Sequence, residues 1–225
     1  METQRYEDGK NWARQADYSS PEIRYDIKVE PMLRRLADGW VTRNRYGAEC
    51  LNSPILFAAD IDFCTDDNKI ACRDIVRELF RYQYMSSAIT IEPLRMVEAR
   101  LREVLADPIG RALGFRLYES HNGFRVVCSS AVFGLRTDNE KDVAGHLQER
   151  LFCDRAYRYI CAEQGLFRLR LTPKPWRSRS GTARAARYIG TYGSDEIDPV
   201  LAPLIAEHDR VACVDQLGRA DAELA

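Results

Sequence analysis

The chain has 225 residues, 45% hydrophobic and 30% charged, with 33 Lys and Arg against 34 Asp and Glu. That apolar content excludes a wholly disordered chain, and no run of about 18 apolar residues is present to cross a membrane. Met1 to Lys10 is polar and lacks the apolar stretch of a secretory signal, so a cytoplasmic location without membrane association is expected. The seven cysteines form no C-x-x-C pair and the three histidines lie far from any cysteine cluster, which points to reduced thiols rather than a zinc finger.

Residues 1–50 are polar and spotted with aromatics, and are expected to form an N-terminal extension packed on the core, with a helical stretch near Pro31 to Asn44. Ile55 to Phe63 is a compact apolar run carrying two acids and bounded by turn residues, which predicts a strand. Apolar residues then recur at helical spacing twice, at Ile75, Val76, Leu79 and Phe80 and at Leu94, Val97, Leu101, Val104 and Leu105, the second helix starting near Pro93. Phe115 to Ser120 and Phe124 to Cys128 alternate around His121-Asn122-Gly123, a hairpin signal. Asp138 can cap a helix in which Val143, Leu147 and Leu151 share a face, and Phe167 to Leu171 alternates as a strand. A last amphipathic helix is expected over Val200 to His208.

The order predicts an α+β chain with a ferredoxin/RRM-like βαββαβ core, an enlarged first crossover, and helical extensions at both ends. The core with its basic segment would span 51–190 and an acidic helical tail 191–225. Helices on one face would leave the other face of the sheet open. The charge is uneven: Arg150 to Gly190 holds ten basic and two acidic residues, a net +8, while Thr191 to Ala225 holds eight acids and two arginines, a net −6. Such a basic stretch suits a polyanion, although taken alone it is better explained by solvated arginines on helix and loop surface.

Sorting the strands by alternation puts Asp60 and Asp62 on the non-core face of the first, ringed by Arg116, Arg125, Arg168 and Arg170 from the others. Two acids one strand repeat apart can share Mg²⁺ or Mn²⁺, hard cations that take carboxylates, waters and substrate phosphates. Arginines nearby can hold a triphosphate through paired hydrogen bonds. These are the parts for metal-assisted nucleotidyl transfer; ion pairing at a strand end is the plainer alternative. Beyond the last strand, Trp176 beside Lys174, Arg177 and Arg179 could stack a base of nucleic acid or plug the edge of the core.

A strand ending in Asp60-Ile61-Asp62, followed by a hairpin reading Ser120-His121-Asn122-Gly123-Phe124-Arg125, resembles the archaeo-eukaryotic primase (primase-polymerase) superfamily. The likeness covers roughly residues 54 to 177. It implies an RRM-like palm in which Asp60 and Asp62 ligate the catalytic metals, with Asp154 as the candidate third acid. Ser120 and Gly123 would shape the hairpin that contacts the incoming NTP or dNTP, helped by Arg125, Arg168, Arg170 and Lys174. Arg125 stands where the family has His, and no zinc element of the family is visible. The resemblance implies a nucleotidyltransferase acting on single-stranded or primer-template nucleic acid. The alternative is an inactive RRM-like nucleic-acid-binding module or accessory protein of the same fold.

Overall fold

A computed structural model describes residues 30–44, 46–62, 91–108, 110–120, 123–173 and 184–213. The helical pattern at Ile75 to Phe80 lies outside the described residues, as do Lys174, Trp176, Arg177 and Arg179. The described chain is mixed α/β, with two antiparallel four-stranded sheets and four α-helices.

Three strands open the described chain: β1 (Met32–Leu36), β2 (Gly39–Arg43) and β3 (Glu49–Ser53). The helix expected near Pro31 to Asn44 is therefore replaced by a hairpin. Leu36 pairs with Gly39 across Ala37-Asp38, and Trp40, Val41 and Thr42 run on into the ladder with β3. Aromatic and β-branched residues favour this extended form, and Val41 is fully buried in it. Gly39 is required because a Cβ there would meet the Asn52 carbonyl oxygen at 2.7 Å and Leu204 at 2.9 Å. The sheet is completed by β7 (Phe167–Arg170), giving the order β1-β2-β3-β7. A domain boundary at residue 50 would thus fall inside β3, a strand of this sheet.

The second sheet contains β4 (Ala58–Asp62), β5 (Gly114–Ser120), β6 (Gly123–Cys128) and β8 (Ala186–Gly193), in the order β4-β6-β5-β8. The expected strand and hairpin are all here, with β4 and β6 as neighbours. The strand after them, β7, joins β3 in the other sheet, and β8 takes the outer edge beside β5. A boundary at residue 190 would divide β8.

The helices are α1 (Ile91–Ala106), α2 (Asp138–Arg150), α3 (Arg155–Gln164) and α4 (Ala202–Ala212). The cap of α2 is Thr137, one residue before the expected Asp138. Its side chain accepts from the Glu140 amide while Glu140 reaches back to the Thr137 amide, a capping box. The buried face of α2 carries Ala144, Leu147 and Gln148, and Val143 stands out at 47% exposure. The free edge of β4 is covered by the α2–α3 junction: Gln148 Nε2 donates to the Ala58 carbonyl at 2.8 Å, and the Asp154 amide to the Asp60 carbonyl at 2.8 Å. Those contacts satisfy backbone acceptors that an open edge would leave for another chain.

Alternation divides β4, β6 and β5 as the sequence predicts. Ala59, Ile61, Phe115, Leu117, Phe124, Val126 and Cys128 are buried on one side, towards α1. The other side carries Asp60, Arg125 and Tyr118 in one row across β4, β6 and β5. That side is not open at this row. Helix α4 lies on it, with His208 edge-on to Tyr118 at 4.7 Å between ring centroids. Leu201, Leu204, Ile205, His208, Val211 and Ala212 of this segment are all buried, because positions three and four apart form one helix stripe.

Candidate metal and nucleotide site

Asp60 and Asp62 project from the same face of β4, and both remain partly exposed. Asp62 starts the next row, opposite Gly123, which in turn pairs with Ser120 and, beyond it, Ala186. The sequence-predicted hairpin residues Ser120 and Gly123 are therefore brought beside the acidic pair. Gly123 has a packing reason to be glycine, since an added Cβ would collide with the Ile61 carbonyl oxygen of β4.

Arg125 pairs with Asp60 across the ladder and is only 3% exposed. Its Nε lies 3.4 Å from Asp60 Oδ1. Its Nη1 donates to the Arg170 carbonyl at 2.9 Å and faces His208 Nε2 at 3.2 Å. A guanidinium so enclosed orients and balances Asp60 from below rather than reaching out to a bound phosphate.

Two of the other arginines of the predicted ring are taken by acids. Arg116 Nη2 donates to Asp209 Oδ2 at 2.7 Å. Arg168 Nη2 donates to Glu30 Oε2 at 2.6 Å, a pair in which both side chains are nearly buried. Arg170 keeps a buried Nε without a hydrogen bond, and its carbonyl serves Arg125. Asp154 comes close to Asp60 through its backbone, while its side chain caps α3 by accepting from the Tyr157 amide at 2.8 Å.

Sequence reasoning missed His208, Asp209 and the covered role of Tyr118. Asp209 Oδ1 accepts from the Tyr118 hydroxyl at 2.7 Å and faces His208 Nδ1 at 3.1 Å. Burial acts to raise the Asp209 pKa, but the bonds from His208 and Tyr118 and the Arg116 charge outweigh it, so the carboxyl titrates below its ordinary value. Burial pushes the His208 pKa down, against the pull of Asp209 and with the help of the Arg125 charge. Burial, followed by the Asp209 charge, pushes the Tyr118 hydroxyl well up, so it stays a neutral donor. A signal was present in the sequence: helical spacing puts His208 on the same stripe as Leu201, Leu204, Ile205 and Val211.

Two donor sets are candidates for a metal among the described residues. His208, Asp209 and Cys213 have ligand atoms within 4.8 Å of one another. A metal on His208 Nδ1 would leave Nε2 protonated, however, and set that N–H against the Arg125 N–H at 3.2 Å. This set does not fit. The Asp60–Asp62 pair does. Asp60 Oδ1 is buried and accepts no hydrogen bond, whereas the other enclosed carboxylates are supplied with donors: Asp209 by Arg116, Tyr118 and His208, and Glu30 by Thr42 and Arg168. Open acceptor capacity on hard oxygens suits Mg²⁺ or Mn²⁺.

No family model matches the chain, and no curated protein or solved structure matches it either.

Proposed function

We propose that the Asp60–Asp62 end of the β4-β6-β5-β8 sheet binds Mg²⁺ or Mn²⁺ together with the phosphates of an NTP or dNTP, and that the protein is a primase-polymerase-like nucleotidyltransferase acting on nucleic acid. The observation that carries this reading is the unequal treatment of the acids. Asp60 is oriented by a buried arginine and left without a hydrogen bond on Oδ1, with Asp62 one strand repeat away. The β4-β6-β5 order, with α1 in the crossover and α2 after the hairpin, supports a ferredoxin/RRM-like core for this site. When bound, the ion would supply charge stabilisation to a displacement at phosphorus. Asp60 and Asp62 would hold it, Ser120 and Gly123 would form the adjoining wall, and Arg170 would supply a cation on that side.

An open-sheet nucleic-acid-binding module, the competing reading, needs the face that α4 covers at Tyr118 and Arg125, and so receives less support. Calorimetric titration with Mn²⁺, with and without ATP, on wild type, Asp60→Asn and Asp62→Asn tests the proposal. Metal binding strengthened by ATP and lost in both variants is the expected result. Wild-type protein that melts cooperatively and takes up neither Mn²⁺ nor Mn²⁺–ATP would overturn it.

A further inference from the structure

The polar row beneath α4 contains a hydrogen-bond chain whose directions can be assigned from its partners. A guanidinium has only donors, so His208 Nε2, 3.2 Å from Arg125 Nη1, must be the acceptor. The ring proton then sits on Nδ1 and is donated to Asp209 at 3.1 Å. Asp209 is fixed in turn by Arg116 and by the Tyr118 hydroxyl, each at 2.7 Å. The groups around His208 are thus Asp209 and Cys213 on its own helix, Arg125 on β6, and Arg116 and Tyr118 on β5, with Asp60 on β4 and the Arg170 carbonyl on β7 reached through Arg125.

We infer that His208, locked by Asp209 as the Nδ1–H tautomer, is the positioning residue of the acidic pair: it restrains the Arg125 guanidinium so that Asp60 is balanced but not capped. The inference rests on the metal-site reading above and deepens it. Arg125 Nη1 is held on two acceptors, the Arg170 carbonyl and His208 Nε2, and with both in place its Nε stands 3.4 Å from Asp60 Oδ1 without a hydrogen bond. Removing the His208 acceptor leaves Arg125 with an unfilled donor in a buried place, while Asp60 Oδ1, 3.4 Å from its Nε, accepts no hydrogen bond. Closing onto it would set the guanidinium in competition with the metal. Protonating His208 acts in the same sense, because an Nε2–H would oppose the Arg125 N–H and add a like charge beside it. Helix α4 thereby couples to the metal site although none of its residues is among the proposed ligands.

The test compares Mn²⁺ affinity in the full chain for wild type, His208→Gln, His208→Leu and Asp62→Asn, alongside thermal melting. Gln keeps a carbonyl acceptor for Arg125 and an amide donor, whereas Leu keeps neither. Removal of such an outer partner weakens metal binding about tenfold or more, so His208→Leu should lose that much while His208→Gln stays near wild type. As the pH falls from about 6.5 down through the depressed folded-state pKa of His208, the wild-type affinity should fall more steeply than that of His208→Gln, which has no imidazole to protonate.

A folded His208→Leu protein with wild-type affinity would overturn the inference, as would a His208→Gln protein with the wild-type pH profile. If His208→Leu fails to fold, the pH comparison of wild type with His208→Gln decides alone. Wild-type binding that Asp62→Asn leaves intact would instead sink the metal-site reading, and the positioning role with it. Loss in Asp62→Asn without any His208 effect overturns the positioning role only.

Discussion

The two sheets are joined along two seams of opposite character. At one, Phe57 just before β4 lies against Phe115 of β5 and Phe167 of β7, with ring centroids 6.4 and 5.5 Å apart, and against Phe133 at 5.1 Å. At the other, α4 reaches the first sheet through Glu207 and Arg34 at 2.8 Å, and the second through Asp209 and Arg116 at 2.7 Å. Arg125 crosses between the sheets to the Arg170 carbonyl. Apolar contact is non-directional and indifferent to pH. The polar seam works only while each donor faces its acceptor in the right protonation state. The candidate site lies on the second seam, where Arg125, His208, Asp209 and Tyr118 form a continuous chain of hydrogen-bond contacts.

Breaking the apolar seam should have the largest effect on stability. Phe57→Ala removes a fully buried ring that touches both sheets, and should lower the unfolding free energy by about 3 to 5 kcal/mol in urea titration. It should leave the pH dependence of what stability remains unchanged.

Breaking the polar seam should cost less in stability but change more in behaviour. Asp209→Ala leaves Arg116, Tyr118 and His208 without their shared acceptor, and a loss of about 2 to 3 kcal/mol is expected in the same titration. Unlike Phe57→Ala, it should also release His208 from its tautomer and weaken Mn²⁺ binding.

The gentlest probe of the contrast is acid. The folded-state pKa of His208 lies below its ordinary value, so the unfolded chain binds the proton more readily. Stability should therefore be fully present above about pH 6.5 and decline as the pH falls from there through the folded-state pKa. Asp209, also depressed, extends the loss to lower pH. Thermal melting across this range should show the decline in wild type and a smaller one in His208→Gln. An unchanged profile would mean that the polar seam contributes little.

Much of the second sheet was legible because its strands alternate. Phe115 and Leu117 against Arg116, and Phe124 and Val126 against Arg125, give both faces without knowledge of the neighbours. The same rule brought Asp60 opposite Arg125 once β4 and β6 were taken as adjacent, as the ladder has them. The first sheet was not legible. Its β1–β2 hairpin turns at Ala37-Asp38 directly before Gly39, and the Asp-Gly pair is a turn signal present in the sequence, but Met32 to Thr42 carries enough apolar residues at helical spacing to hide it. The hairpin is decided by its pairing with β3, a contact that no local pattern encodes.

The candidate site divides in the same way. Residue type and a period of two placed Asp60 and Asp62 together on one strand face, since adjacent alternate positions on a strand cannot do otherwise. Which arginines serve them was decided by tertiary structure. Arg116 turned to Asp209 and Arg168 to Glu30, partners 93 and 138 residues away, and Arg125 was enclosed by a helix that begins 77 residues after it. Long charged side chains reach several ångströms in any direction, so their partners depend on what the chain folds over them. The acids were fixed by the backbone on which they stand, and the arginines by the helix and strands that came to lie beside them.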